Sequence, residues 1–171
     1  MHDSTLRAAI DHLRQKHTRA GSKEGGYVLD EDTGAIIEYA VGTENAVEFD
    51  GETFNRPTGV CVLHSHPADC PANQYDWQWF IERPQVRRMI VVGPSRTYIL
   101  KKPPDWQAAG LWQHSPFEDW EDYAVDIAIE RGFSLEYAPD ALQWQGLEVE
   151  VNRRMALQYR LEFQVEAPDE I

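Results

Sequence analysis

The first part of the chain carries apolar residues first at helical spacing and then at strand spacing. Leu6, Ile10 and Leu13 recur every third or fourth position, which predicts an amphipathic helix. Two runs rich in β-branched and aromatic residues follow, at 27–29 and 35–41, and the Asp-Thr-Gly sequence between them is typical of a hairpin turn. A covering helix and the beginning of an antiparallel sheet are therefore expected.

An unbroken apolar run at 60–63 leads into two histidines and a proline. Such a run favours a central strand that is buried on both faces, and Pro67 ends it because proline cannot donate to a β-ladder. The same criteria predict three further strands and one short helix, at residues 46–49, 89–92, 97–100 and 76–82 respectively.

Beyond residue 103 the pattern indicates another helix. Ser115 suits the N-cap, Pro116 the first helical position and Glu118 the third, and the helix is expected to run to about Arg131. Residues 133–137 alternate as a short strand would.

The last stretch fits two patterns. Residues 147–165 alternate as strands would, yet Leu147, Val151 and Met155 also form a helical stripe. We predict a helix at 147–158 followed by a strand at 161–165.

These elements indicate an α+β fold, a mixed sheet flanked by helices. A length of 171 residues suits one domain with a proper core and is short for two. We therefore expect a single domain over residues 1–171, with a core at about 5–102 and a C-terminal elaboration at about 103–171.

The two histidines are the strongest indication of chemistry. Side chains alternate along a strand, so His64 and His66 leave the sheet on one face while Ser65 points to the other. Asp76 opens the short helix ten residues after His66. Two imidazoles and one carboxylate are a typical three-ligand zinc set, which leaves the fourth tetrahedral position for water.

The same residues resemble a known signature. His-Ser-His-Pro at 64–67 followed by Asn-Gln-Tyr-Asp at 73–76 is similar to the JAMM (JAB1/MPN/Mov34) metallopeptidase motif, and Glu24 resembles the glutamate that heads a core strand in that family. The resemblance covers about 24–102. The sequence departs from the family pattern twice: the loop after Pro67 is one residue shorter, and Asn73 stands at the serine position.

The resemblance implies an MPN-type fold, a curved mixed sheet with flanking helices, and a zinc-dependent peptidase or isopeptidase activity. One zinc ion would be held by His64, His66 and Asp76. Glu24 would be the general base, and Asn73 would stabilise the oxyanion. The implied partner is a protein substrate that presents a ubiquitin-like or other small protein tail.

Other readings of these residues stay open. Glu38, an acid within an apolar strand, is a rival base, and Asn73 with Asp76 also suits a helix N-cap and its N3 partner. Cys70 lies near the histidines in sequence, but a fourth protein ligand would close the site to water. A metal-free MPN-like scaffold for protein binding is the alternative function. The (β/α)₈ barrels that also use His-x-His need about 250 residues.

Charge and hydropathy limit the partners. With 16 Lys and Arg against 29 Asp and Glu, the net charge is −13, which repels a phosphate backbone and argues against nucleic acid. The chain has neither an apolar run long enough for a membrane span nor a basic, apolar leader, so we expect no membrane association and a cytoplasmic location. Cys61 and Cys70 are expected to be free thiols. No feature of the sequence indicates an oligomeric state.

Overall fold

The computed structural model describes residues 3–106, 115–133 and 141–167. Its elements in chain order are α1 (Asp3–His17), β1 (Gly25–Asp30), β2 (Ile36–Val41), a 3₁₀ helix (Gly51–Phe54), β3 (Val60–Ser65), α2 (Gln74–Glu82), β4 (Val86–Val92), β5 (Thr97–Lys101), α3 (Pro116–Glu130), α4 (Ala141–Gln158) and β6 (Glu162–Glu166).

The six strands form one open, mixed sheet in the order β2-β1-β3-β4-β5-β6. Strands β3 and β4 are parallel, and every other neighbouring pair is antiparallel. The strand that carries the histidines is therefore central, between β1 and β4. Helices flank the sheet, which confirms the predicted α+β class.

Alternation along β3 divides the core into two layers. Cys61 and Leu63 face α1 and pack with Leu13 and other residues of that helix and the sheet. Val60 and Val62 face the opposite side and pack with residues of α2, α3 and α4. His64 continues the alternation of Val60 and Val62, so its side chain emerges on the face of the sheet that is covered by α2, α3 and α4.

Local capping sequences place the helices that border this face. Asn73 caps α2 in a capping box with Asp76. Ser115 caps α3 in a second box with Glu118, with proline in the first turn, and Gly132 follows that helix with a φ of 71°. The predicted start and end of α3 are confirmed.

The predicted strand at 46–49 is wrong. Thr43 N donates to Ala46 O at 2.8 Å, and this turn leads the chain away from the ladder after β2. Phe49 instead packs on the main core cluster, with its ring 6.4 Å from that of Phe54. A β-prone sequence forms a strand only where another strand pairs with it.

The C-terminal region completes the sheet. Leu147, Val151 and Met155 are buried on α4, so the helical stripe is the correct pattern, and α4 begins at Ala141, before the predicted residue 147. Strand β6 follows α4 and pairs with β5. Most of the predicted strand at 133–137 lies outside the described residues. Within the described ranges, no helix is long and apolar enough to cross a membrane.

Candidate metal centre

The end of β3 brings two imidazoles to one point. His64 and His66 are buried, and their Nε2 atoms lie 3.1 Å apart. Ser65 points to the other face, as expected from the alternation, and its Oγ accepts a hydrogen bond from Gly25 N at 2.9 Å. That bond joins the histidine strand to β1.

The first turn of α2 supplies a carboxylate. Asp76 Oδ1 lies 3.2 Å from His64 Nε2, and Oδ2 lies 3.4 Å from His66 Nε2. Donor atoms about 2.0–2.2 Å from a tetrahedral ion are roughly 3.3 Å from one another, so the observed separations fit a metal ion. Among the described residues, no other three His, Cys, Asp or Glu side chains bring ligand atoms within 4.8 Å of one another.

A contact behind His66 orients its ring. His66 Nδ1 lies 3.2 Å from Cys70 O, so a hydrogen on Nδ1 is donated to this carbonyl and Nε2 is directed toward Asp76. Cys70 Sγ also contacts Nδ1, at 3.3 Å. The thiol therefore lies on the side of the ring away from the donor cluster, where it does not act as a fourth ligand.

The charges within the cluster suit a cation. Burial alone would raise the pKa of Asp76, but His64 and His66 outweigh it and hold that pKa far below its usual value. Burial would lower the pKa of His66, yet Asp76 and Cys70 raise it well above the ordinary histidine value. The metal-free site thus holds an ionised carboxylate and a proton that a metal ion would displace.

Glu24 lies beside the donor cluster. In the β1–β3 register Gly26 is opposite His64, so Glu24, two residues earlier, is level with His66. It is only 7% exposed. Burial raises the pKa of its carboxyl group, and the two histidines oppose that shift.

A cavity of about 350 Å³ is lined by Glu24, His64, His66 and Asp76. The other residues that line it are Asn45, Ala46, Val47, Phe49, Val62, Asn73, Tyr75, Trp79 and Met89. Tyr75 is 68% exposed, so it lies at the rim. The arrangement is a cleft with the donor cluster and Glu24 inside it.

Asn73 both caps α2 and lines this cleft. Its Oδ1 accepts from Tyr75 N at 2.9 Å and from Asp76 N at 3.1 Å, and its own N–H donates to Asp76 Oδ2 at 2.9 Å. The capping role considered for this pair is therefore real, and Asp76 combines it with a place in the donor cluster. The capping bonds do not use the Nδ2 group of Asn73.

Glu38, the alternative candidate for the general base, does not line the cleft. Glu38 accepts hydrogen bonds from Asp50 N at 3.0 Å and Thr53 Oγ1 at 2.6 Å, so it ties the edge strand β2 to the 3₁₀ segment. Of the tryptophans near the motif, Trp77 is buried in the core and Trp79 lines the cleft.

Sequence reasoning missed an acid on α4. Burial raises the pKa of Glu148 to about 7, and the charge of His66 opposes the shift. No motif marks Glu148, because it reaches the centre only through the packing of α4.

Comparisons with protein-family models, curated proteins and solved structures give no match to this chain.

Proposed function

We propose that this chain is a zinc-dependent metallopeptidase of the JAMM type. One observation carries the proposal: the Nε2 atoms of His64 and His66 and the carboxylate of Asp76 converge at 3.1 to 3.4 Å in a cleft that also holds Glu24. A donor set with an adjacent buried acid is the arrangement that hydrolysis by an activated water requires.

The donor types favour zinc. Two imidazole nitrogens and one carboxylate oxygen match the three-ligand sets of catalytic zinc sites, in which a fourth position stays open. We propose one zinc ion per chain. When bound, it would polarise the substrate carbonyl and lower the pKa of a water molecule to about 7.

Glu24 and Asn73 supply the remaining chemistry. The raised pKa of Glu24 suits a carboxylate that takes a proton from water and gives it to the leaving amine. The Nδ2 group of Asn73, which capping does not use, is a suitable donor to the oxyanion. Such a donor contributes about 3 to 4 kcal/mol in other enzymes.

The cleft is the proposed binding site for a polypeptide substrate. Val47 and Phe49 line it together with Tyr75 and Trp79 of α2, and an extended chain would bind beside these residues to reach the donor cluster. We propose that the bond cleaved is a peptide or isopeptide bond next to the flexible tail of a ubiquitin-like or other small protein, in the cytoplasm.

Metal analysis together with one pair of variants tests the proposal. The purified protein should contain one zinc per chain. Glu24→Gln should keep the zinc and lose most of the cleavage rate on tail peptides, because an amide has the same shape but cannot take the proton. Glu38→Gln is the matched control and should cleave normally. Absence of zinc, or a Glu24→Gln variant as active as the parent, would refute the function and favour a binding scaffold.

A further inference from the structure

A buried amide on α4 connects this helix to the segment that carries Asp76. Asn152 is fully buried, and its Nδ2 group donates to Ala72 O and to Glu148 O, both at 2.9 Å. Its Oδ1 accepts from Trp77 Nε1 at 2.9 Å. The oxygen and the nitrogen of the Asn152 amide are therefore both hydrogen-bonded, and two of the three bonds go to residues outside α4.

Those two bonds lie on either side of the carboxylate ligand. Ala72 directly precedes Asn73, whose backbone N–H holds Asp76 Oδ2 at 2.9 Å, and Trp77 directly follows Asp76. A shift of the Ala72 carbonyl or of the Trp77 indole would turn the first turn of α2, and with it Asp76, relative to the histidines.

The other end of the same loop is also held. Gln145, on α4, donates to Asp69 O, and Tyr98 OH donates to the same oxygen at 2.8 Å. The Asp69 carboxylate accepts from Ser95 N at 3.2 Å and from Arg96 N at 3.0 Å. Between the two anchors lies the Cys70 carbonyl that orients His66.

We propose that α4 is a structural part of the metal centre and that Asn152 is a positioning residue for Asp76, which sets the affinity for zinc. The proposal rests on the metal site of the proposed function and not on peptidase activity. It also assigns a role to the C-terminal region, which holds the ligands rather than forming a separate appendage.

A buried asparagine that only stabilised the fold would behave differently. Its loss would lower the free energy of unfolding of the metal-free protein and leave the zinc affinity of the folded protein unchanged. Tyr159→Phe provides that reference, because it removes only the hydroxyl that donates to Asp119 on α3 and keeps the ring that packs 6.1 Å from the ring of Trp77.

The test is competition for zinc between a chromophoric chelator and the full chain, at a temperature where every variant is folded. Asn152→Leu keeps the volume but loses the hydrogen bonds to Ala72 and Trp77. It should weaken zinc binding about 10- to 100-fold, the usual effect of losing a partner behind a metal ligand. Tyr159→Phe should bind zinc as the parent does, even where it lowers the melting temperature of the metal-free protein. Should Asn152→Leu fail to fold, Asn152→Ser is measured in the same way.

Parental zinc affinity in a folded Asn152 variant would overturn the positioning role, and so would an equal loss of affinity in Tyr159→Phe. A parent protein that binds no zinc would overturn this inference and the proposed function together. A parent that binds zinc but cleaves no tail peptide would refute only the function, and the affinity comparison would still decide the role of Asn152.

Discussion

His64 Nε2 and His66 Nε2 face each other at 3.1 Å, with His64 in β3 and His66 directly after its last residue. Two imidazole lone pairs at this distance repel unless a cation or a proton lies between them. Asp76 closes the same space from the opposite side, and its charge favours a cation. This relationship is the basis of the predictions on metal binding.

Loss of both imidazoles should abolish zinc binding. The double variant His64→Ala, His66→Ala leaves one carboxylate, which is too few donors for a stable site. Elemental analysis of the purified variant should find no zinc. Asp76→Asn is the companion variant, because an amide oxygen still accepts the capping bond from Asn73 while the ligand charge is gone. Stoichiometric zinc in the double variant would show that the site is elsewhere.

Zinc binding should release protons near neutral pH. The raised pKa of His66 means that its imidazole is protonated in the metal-free protein at pH values above the ordinary histidine pKa of about 6.5. Zinc must displace that proton, so the affinity should fall as the pH falls, beginning above about pH 6.5. Calorimetry in buffers of different ionisation enthalpy measures the release. His12→Gln, outside the cluster, should leave it unchanged, and binding without proton release at pH 7 would contradict the prediction.

The Ser65 hydroxyl should affect catalysis more than zinc binding. It accepts from Gly25 N, next to the proposed base, so Ser65→Ala leaves a buried N–H without its partner, a loss of about 1 to 3 kcal/mol. We expect kcat to fall by about tenfold, with KM and zinc content nearly unchanged.

Thr58→Ala is its control. Thr58 Oγ1 donates to Asp30 Oδ2 at 2.9 Å, which joins the same two-strand region at the end remote from the site. This variant should lose stability but keep kcat. Equal effects of the two variants on kcat would show that Ser65 only stabilises the sheet.

Lys102 should make the fold more stable at alkaline pH. Its Nζ donates to Phe80 O at 2.6 Å and Arg83 O at 2.8 Å, at the end of α2, and burial lowers its pKa to about 7. The unfolded chain has a lysine pKa of about 10.4 and so binds more protons between these values. The free energy of unfolding should therefore rise with pH from about 7 to about 10.

Lys102→Met removes this titration. The stability of the parent relative to Lys102→Met should increase by about 2 to 4 kcal/mol between pH 7 and pH 10. Urea unfolding of both proteins at the two pH values measures it. A difference that does not change with pH would show that the amine stays charged in the folded protein.

Acidic residues at the mouth of the cleft should favour basic substrates. Glu44 and Glu48 line cavities that adjoin the donor cleft, on a chain with a net charge of −13, and such a field attracts cationic ligands. Cleavage of a Lys- or Arg-containing tail should lose efficiency, mainly through KM, as salt reduces the Debye length from about 10 Å at 0.1 M to about 3 Å at 1 M. A neutral tail of equal length should change little. Identical salt profiles would show that these acids only solvate the surface.

Short-range rules predicted the local geometry of the three residues in the donor cluster. The period of two along β3 puts His64 and His66 on one face whatever the neighbouring strands are. The spacing of three between Asn73 and Asp76 forms a capping box within one helical turn. Both features depend on residues close in sequence, so they could be predicted without knowledge of the fold.

Pairing and packing decided the rest. Glu24 rather than Glu38 reaches the centre because of the β1–β3 register, which no single strand encodes. Residues 46–49 have β-type side chains, yet they form no strand because no strand pairs with them. The role of Asn152 depends on contacts 75 and 80 residues away in sequence. Hydrogen bonds across such separations exist only when the whole chain is folded, so only the tertiary structure could place them.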